Sequence, residues 1–130
     1  MSFLFDASSI FEALVERKVR ALHGNYTIDL AVYEVGNILW KRRRLLKDVD
    51  DEEIAQLIGL IKRVLRLLKT VKIDCHEREV VDIAVRFEVT FYDASYVFAA
   101  KNNNLTLVTE DEKLRRKVKG YVDTLSLREI

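Results

Sequence analysis

The chain has 130 residues, of which 33% are charged and 49% hydrophobic, and its formal net charge is +1. That balance is typical of one globular domain and excludes a disordered polypeptide. The apolar runs are too short to cross a bilayer, and we see no secretion signal. Because Cys75 is the single cysteine, an internal disulfide is excluded, and we expect a cytoplasmic protein with no membrane partner.

Short apolar strands and amphipathic helices are predicted to alternate from the start of the chain. Residues 2–5 and 26–29 are the first two predicted strands. The first helix has a capping-box pattern that starts at Ser9 and ends at Glu12. Two further helices are predicted from apolar residues at helical spacing, at 30–39 and, after an acidic block, at 54–68.

The second half of the chain continues the alternation. Strands are predicted at 70–73, 105–108 and 121–123. The helices around them have predicted starts at Asp74 with Glu77, at Thr90, and at Thr109 with Glu112. Regular alternation of this kind predicts a three-layer α/β/α fold: a central parallel sheet of four to five short strands, with helices on both faces and right-handed crossovers.

Four carboxylates follow predicted strands directly or lie on the helices behind them: Asp6, Glu34, Asp93 and Asp111. Because a parallel sheet brings its strand ends together, these side chains are expected to converge on one crevice. Clustered carboxylates repel one another unless a cation lies between them, and Mg²⁺ or Mn²⁺ is the usual hard cation. The pattern therefore predicts metal-assisted phosphoryl chemistry.

Each acid also has a structural interpretation. Asp6 suits an Asx-turn or a helix cap, and Asp93 and Asp111 suit the first turn of a helix, where the dipole favours negative charge. Glu34 lies on the apolar stripe of its helix, where an unpaired charge is costly, so it needs an ion-pair partner or a functional role. The shared rim of the sheet favours the metal site over four separate structural roles.

A basic run lies near the end of the second predicted helix, at Lys41, Arg42, Arg43 and Arg44. Such a strip can neutralise phosphates, so these residues are candidates for guiding a nucleic-acid backbone. The alternative is a solvated helix face with no ligand.

Four segments, in order, resemble the motifs of PIN-domain nucleases: Phe5-Asp6-Ala7-Ser8, Tyr33-Glu34-Val35-Gly36-Asn37, Thr90-Phe91-Tyr92-Asp93-Ala94-Ser95-Tyr96, and Leu107-Val108-Thr109-Glu110-Asp111-Glu112-Lys113-Leu114. The likeness covers nearly the whole chain and is closest to the single-domain VapC-type toxins of prokaryotic toxin–antitoxin pairs. One departure is Glu88, because the family often has glycine in the turn before the third motif.

This resemblance implies a single PIN domain over residues 1–130 and a set of family roles. The four acids would bind Mg²⁺ or Mn²⁺, and the hydroxyl residues Ser8 and Thr109 would support them. The family cuts RNA, is typically homodimeric, and is inhibited by an antitoxin whose C-terminal segment enters the active-site groove. Glu110, beside Asp111, leaves open which of the two faces the metal.

The expected reaction is hydrolysis of an RNA phosphodiester by an activated water, which leaves 5′-phosphate and 3′-hydroxyl ends. Ser8 and Thr109 are better suited to positioning a water or a ligand than to attack. Two alternatives remain open. One is a DNA- or flap-directed nuclease with the same metal site, and the other is a catalytically silent module that binds a partner protein.

Overall fold

The computed structural model describes residues 2–130 and has a five-stranded, all-parallel sheet at its centre. The strand order is β3-β2-β1-β4-β5. The strands are β1 Phe3–Phe5, β2 Tyr26–Ile28, β3 Lys69–Val71, β4 Thr106–Val108 and β5 Thr124–Leu125.

In the described part of the chain, six α-helices connect and cover these strands: α1 Ala7–Val15, α2 Leu30–Lys41, α3 Asp51–Leu65, α4 Glu77–Phe87, α5 Phe91–Asn102 and α6 Glu112–Lys117. A π-helical turn, Arg42–Leu46, continues α2, and 3₁₀ helices form at Val19–Leu22 and Leu127–Glu129. No helix within residues 2–130 is long and apolar enough to span a membrane.

Two apolar cores lie on opposite faces of the sheet. Leu4 contributes to a core formed with α4, α5 and α6, whereas its neighbour Phe5 contributes to a core formed with α1, α2 and α3. This division follows from the strand repeat, because successive side chains point to opposite faces. The predicted three-layer α/β/α architecture is therefore confirmed.

The order of the strands reverses at β1. From β1 the chain passes to β2 and β3 on one side, and it later returns to pair β4 with the other side of β1. In open α/β sheets a crevice forms at such a switch point, beyond the carboxyl ends of the two strands. Asp6 follows β1 and Thr109 follows β4, so the topology alone brings the first and fourth motifs together.

The first four predicted strands are confirmed to within two residues, but the last is wrong. β5 is Thr124–Leu125, directly after the predicted residues. Tyr121 and Val122 belong to the turn that follows α6, and the Asp123 carbonyl accepts from the Leu107 amide of β4 at 2.9 Å. The Tyr121 and Val122 amides both donate to the Val118 carbonyl, and Tyr121 packs its ring on Phe87 at 5.0 Å between centroids. Tyr121 and Val122 look like part of a strand in sequence because they are apolar, yet they pack into the core below the sheet.

Two predicted helix starts differ because an aspartate takes the capping role. Helix α1 is capped by Asp6, whose Oδ1 accepts from the Ser9 amide at 2.9 Å, and the Ser9 hydroxyl instead donates to the Val108 carbonyl at 2.8 Å. Helix α6 is capped by Asp111, whose Oδ1 accepts from the Leu114 amide at 3.0 Å.

Of the other two predicted helix starts, one is confirmed and one is wrong. Thr90 caps α5 as predicted, since its Oγ1 accepts from the Asp93 amide at 3.1 Å. Helix α4 begins after His76 without a side-chain cap, and the Glu77 carboxylate accepts from the Cys75 amide instead of pairing with Asp74. Glu88 ends α4 in a left-handed conformation with φ 55°, so the turn keeps the backbone that glycine favours.

Candidate active site

A cavity of about 370 Å³ lies at the carboxyl edge of the sheet. All four acids predicted from the sequence line it. The rest of its wall is formed by Ala7, Ser8, Asn37, Ile38 and Lys41. We call this space the acid cavity. It contains acids from four different elements, which only the tertiary fold brings together.

Asp6 forms the buried side of the acid cavity. Its Oδ1 accepts from the Ser9 amide at 2.9 Å and from the Ser8 hydroxyl at 2.7 Å. Burial raises the pKa of Asp6 above its ordinary value, and donors from Thr109, Ser9 and Ser8 partly offset that rise. Asp6 is therefore held in one orientation by the start of α1.

Glu34 and Asp93 are half-buried and face like charges. Burial raises the pKa of Glu34, and the Asp6 and Asp93 carboxylates raise it further. Burial also raises the pKa of Asp93, with added repulsion from Asp111 and Asp6 and a smaller opposing effect from Lys117. Among residues 2–130 neither carboxylate forms an ion pair, so the buried ion pair considered for Glu34 is not formed.

Tyr96 extends from α5 beneath this cluster and is only 1% exposed. Its hydroxyl lies close enough to the Glu34 carboxylate to lower the pKa of Glu34, but no hydrogen bond of normal geometry joins them. Burial and the charge of Glu34 raise the pKa of Tyr96. A buried phenol without a partner is costly, and here the unsatisfied group lies beside a carboxylate of the site.

Two adjacent acids of the fourth motif, Glu110 and Asp111, have different surroundings. Asp111 is exposed, caps α6 and lines the acid cavity. Glu110 turns the other way, because its Oε1 accepts from the Leu127 amide at 2.7 Å. The Glu110 side chain thus holds the C-terminal 3₁₀ helix, and Asp111 is the acid that reaches the cavity.

Ser8 and Thr109 lie beside the acids with their hydroxyls engaged. The Ser8 hydroxyl donates to Asp6 and accepts from the Glu110 amide at 3.2 Å. Thr109 is fully buried, and its Oγ1 accepts from the Asp111 amide at 3.1 Å. Both hydroxyls therefore orient the acidic residues around them.

The residues of the basic run lie in different surroundings. Lys41 lines the acid cavity. Arg42 pairs with Asp48 at 2.9 Å and lies over the Phe11 ring at 5.4 Å, and Arg43 pairs with Asp51 at 2.7 Å. Arg44 is exposed on the π-helical turn. Of the four predicted nucleic-acid contacts, the structure brings Lys41 to the acids.

A second cavity of about 300 Å³ shares Asp93 and Asp111 with the acid cavity. Two of the residues that line it, Lys113 and Lys117, were assigned no role from the sequence. Their spacing of four residues on the helix that follows Asp111 is the signal that predicts a common face. Tyr96 is a further residue that sequence reasoning misses, because nothing in the sequence shows that its hydroxyl lies beside Glu34.

The donor set suits a hard divalent cation in its chemistry. It consists of carboxylate oxygens, which Mg²⁺ and Mn²⁺ prefer, and a bound cation would relieve the repulsion between them. The unsatisfied Tyr96 hydroxyl beside Glu34 is also consistent with a site that is completed by a ligand. Within residues 2–130, however, no three acidic, histidine or cysteine side chains stand close enough to enclose an ion.

Comparisons with known proteins agree with this architecture. Residues 2–120 match the model of the PIN domain. The chain is 33% identical to Exonuclease VapC9 of Pyrobaculum aerophilum, with 98% of this chain and 93% of that protein covered. It is also 33% identical to Ribonuclease VapC3 of the same organism, over 94% of this chain and 98% of that protein. The crystal structure of PAE2754, again from Pyrobaculum aerophilum, has a TM-score of 0.83 and 32% identity over 99% of this chain and 92% of its own.

Proposed function

We propose that this chain, which belongs to the PIN-domain family, is a metal-dependent endoribonuclease and the toxin of a type II toxin–antitoxin pair. The observation that carries the proposal is the convergence of Asp6, Glu34, Asp93 and Asp111 on one cavity. Two of these carboxylates have pKa values raised by their like-charged neighbours as well as by burial. The names of the two relatives, an exonuclease and a ribonuclease, support nuclease chemistry.

Asp6, Glu34, Asp93 and Asp111 are the residues that would hold Mg²⁺ or Mn²⁺. When bound, the ion supplies an activated water at neutral pH and neutralises charge on the phosphoryl group. The chain's own contribution is a fixed arrangement of carboxylates around that charge. The Ser8 hydroxyl and the Ser9 amide hold Asp6 in place.

No covalent nucleophile is needed in this scheme. The Ser8 proton is directed at Asp6, and Thr109 is buried, so neither hydroxyl is free to attack phosphorus. A carboxylate of the cluster takes the proton from the attacking water. Hydrolysis by water leaves a 5′-phosphate and a 3′-hydroxyl on the products.

The toxin role adds a cognate antitoxin and a homodimer as partners, within a single domain over residues 1–130 and in the cytoplasm. Large apolar side chains on α2 and its π-helical extension support a protein partner on that side. Tyr33 is 73% exposed and Trp40 is 53% exposed on α2, and Leu45 and Leu46 are exposed on the π-helical turn that continues it. Apolar groups gathered in this way are typical of protein–protein contacts.

The deciding experiment is cleavage of a structured RNA pool with Mg²⁺ or Mn²⁺, with EDTA, and with Asp6→Asn and Asp93→Asn. Asp82→Asn, an exposed acid on α4, is the matched control. Cleavage that needs the metal and both site acids, but not Asp82, supports the proposal. No metal-dependent cleavage of RNA or DNA would leave the silent partner-binding module as the better account.

The same reaction tests the mode of cutting. An exonuclease is the second candidate, favoured by the name of one relative. RNA labelled at one end, together with a circular RNA, separates the two modes, because only an endonuclease opens the circle. A matched DNA panel tests the DNA-directed alternative, and a 2′,3′-cyclic phosphate product would contradict hydrolysis by a metal-activated water.

A further inference from the structure

The second cavity continues the active-site groove beyond the acids. It meets the acid cavity at Asp93 and Asp111, which line both. Lys41 lies on the wall of the first cavity, and Lys113 and Lys117 lie on the wall of the second. Positive side chains therefore stand in both arms of a groove whose middle is acidic.

These lysines differ from two arginines of the basic run, because their charges are not neutralised by ion pairs. Within residues 2–130, Lys41, Lys113 and Lys117 form no ion pair with a carboxylate. Arg42 and Arg43, in contrast, are paired with Asp48 and Asp51. An arginine that already neutralises an aspartate has less to offer a phosphate than a free lysine has.

The lysine side chains of the second cavity have defined positions. The Lys117 ammonium donates to the Glu88 carbonyl at 2.6 Å, which fixes it against the left-handed turn after α4. Its charge reaches the site, because it lowers the pKa of Asp93 against the opposing effects of burial and like charge. Lys113 lies one helical turn earlier on α6, so both side chains project from the same face of the helix.

We propose that the second cavity is a binding path for single-stranded RNA, in which Lys113 and Lys117 hold the phosphates on one side of the cut. Lys41 holds the phosphates on the other side. This inference rests on the proposed nuclease function and assigns the path along which the substrate strand crosses the site. Because Lys113 and Lys117 are neighbours on one face of α6, both can contact phosphates of the same strand.

Charge makes this path dependent on the metal. Glu88, Asp93 and Asp111 also line the second cavity, so in the metal-free protein three acids oppose two lysines. A divalent cation at Asp93 and Asp111 reverses that balance and lets the lysines attract a phosphate. RNA binding along this arm is therefore expected to require Mg²⁺, and Glu88→Gln is expected to strengthen it.

The test measures binding of a short, end-labelled, single-stranded RNA by fluorescence anisotropy over a range of salt, with Ca²⁺ in place of Mg²⁺. Every protein keeps all four acids, because the path needs a bound cation, and Ca²⁺ is a second hard cation that carboxylates bind, with looser geometry than Mg²⁺. A gel run after each titration checks that the RNA is intact. The variant is Lys113→Ala with Lys117→Ala. The matched control is Arg116→Ala with Lys119→Ala, which removes two positive charges from the same part of the chain but from a different cavity.

We expect the Lys113/Lys117 variant to bind RNA about tenfold more weakly, with a log–log salt slope smaller by about 1.4, because each phosphate contact contributes about 0.7 on a single strand. The control is expected to keep the wild-type slope. Stabilisation by Mg²⁺ in thermal melts, measured with the two lysines replaced in the otherwise unchanged chain, is expected to be the same as in wild type.

Equal slopes for the variant and the control would overturn the path while leaving the nuclease intact, because cleavage by the wild-type chain is measured separately. A wild-type chain that neither cleaves nor binds RNA would overturn both. Lys113→Glu is a second variant that is expected to fold, since within residues 2–130 the Lys113 side chain makes no hydrogen bond or ion pair, whereas the Lys117 ammonium does donate to Glu88. Reversal of the Lys113 charge should weaken RNA binding further. Unchanged binding by a folded Lys113→Glu protein would contradict the path.

Discussion

The four acids of the site form two pairs that differ in what else they do. Asp6 and Asp111 begin helices α1 and α6, and each accepts a backbone N–H through Oδ1, at 2.9 and 3.0 Å. Glu34 and Asp93 lie inside helices and accept no hydrogen bond of normal geometry from residues 2–130. The capping pair contributes to folding as well as to the site, whereas the inner pair adds repulsion that only a ligand relieves.

The largest expected effect belongs to the inner pair. Asp93→Asn should reduce cleavage by more than about a hundredfold, because it removes a metal-ligating carboxylate. The same change should raise the unfolding free energy of the metal-free protein by up to about 1 kcal/mol, because Asp111 and Asp6 no longer face a like charge. Initial cleavage rates measure the first effect, and thermal melts with and without Mg²⁺ measure the second. A destabilised metal-free variant would mean that Asp93 has a structural role of its own.

The capping pair should respond in the opposite way. Asp6→Ala should lower the unfolding free energy by about 1–2 kcal/mol, because the Ser9 amide and the Ser8 hydroxyl lose their acceptor. Asp6→Asn keeps an acceptor oxygen and should cost less, although both variants lose cleavage. Urea unfolding at fixed pH compares the three proteins. If both variants lose the same unfolding free energy, the capping hydrogen bond of Asp6 does not contribute to stability.

Substitution of Glu110 tests whether an acid of the fourth motif must line the acid cavity to be needed for cleavage. Glu110→Ala should lower the unfolding free energy by about 1 kcal/mol, because the Leu127 amide loses its acceptor. Cleavage should stay within about twofold of wild type, whereas Asp111→Asn should lose it. The measurement is an initial cleavage rate for each folded variant. A strong loss of cleavage with Glu110→Ala would mean that Glu110, and not Asp111 alone, acts at the metal site.

The smallest expected effect is a pH dependence of the inner pair. The folded pKa values of Glu34 and Asp93 lie above their ordinary values of 4.5 and 3.8. Their contribution to stability is therefore fully present below about pH 4 and is lost as pH rises through the raised pKa values. The difference in unfolding free energy between wild type and Glu34→Gln/Asp93→Asn, measured without metal, should move against wild type over that window. A flat difference would contradict the like-charge account.

The outline of the fold could be predicted because strands and helices alternate in their apolar pattern. Fine boundaries could not, since Asp6 and Ser9, or Thr109 and Asp111, are equally good caps a few residues apart. Tertiary contacts decide between them: the Ser9 hydroxyl is drawn to the Val108 carbonyl, on the neighbouring strand. Such a preference lies in the packing of α1 against β4 and leaves no mark on the local sequence.

The residues of the site could be predicted, but their surroundings could not. The acids could be named because strand ends and motif order both pointed to them. The electrostatic surroundings could not, because Arg42, Arg43 and Arg44 lie on a π-helical turn that ends at Lys47, with φ 55°, and no local sequence pattern predicts that turn. Arg42 and Arg43 thereby meet Asp48 and Asp51, while the uncommitted lysines come partly from a helix more than sixty residues further along the chain.

One hydrogen-bonded relay joins the site to the last residues described. The Ser8 hydroxyl donates to Asp6, the Glu110 amide donates to Ser8, and the Glu110 carboxylate holds the Leu127 amide. Opening of the final 3₁₀ helix therefore loosens the loop that carries Asp111, so the two should exchange their amide hydrogens as one cooperative unit. Slow exchange at Leu127 would then report, from outside the cavity, how rigidly the carboxylates are held.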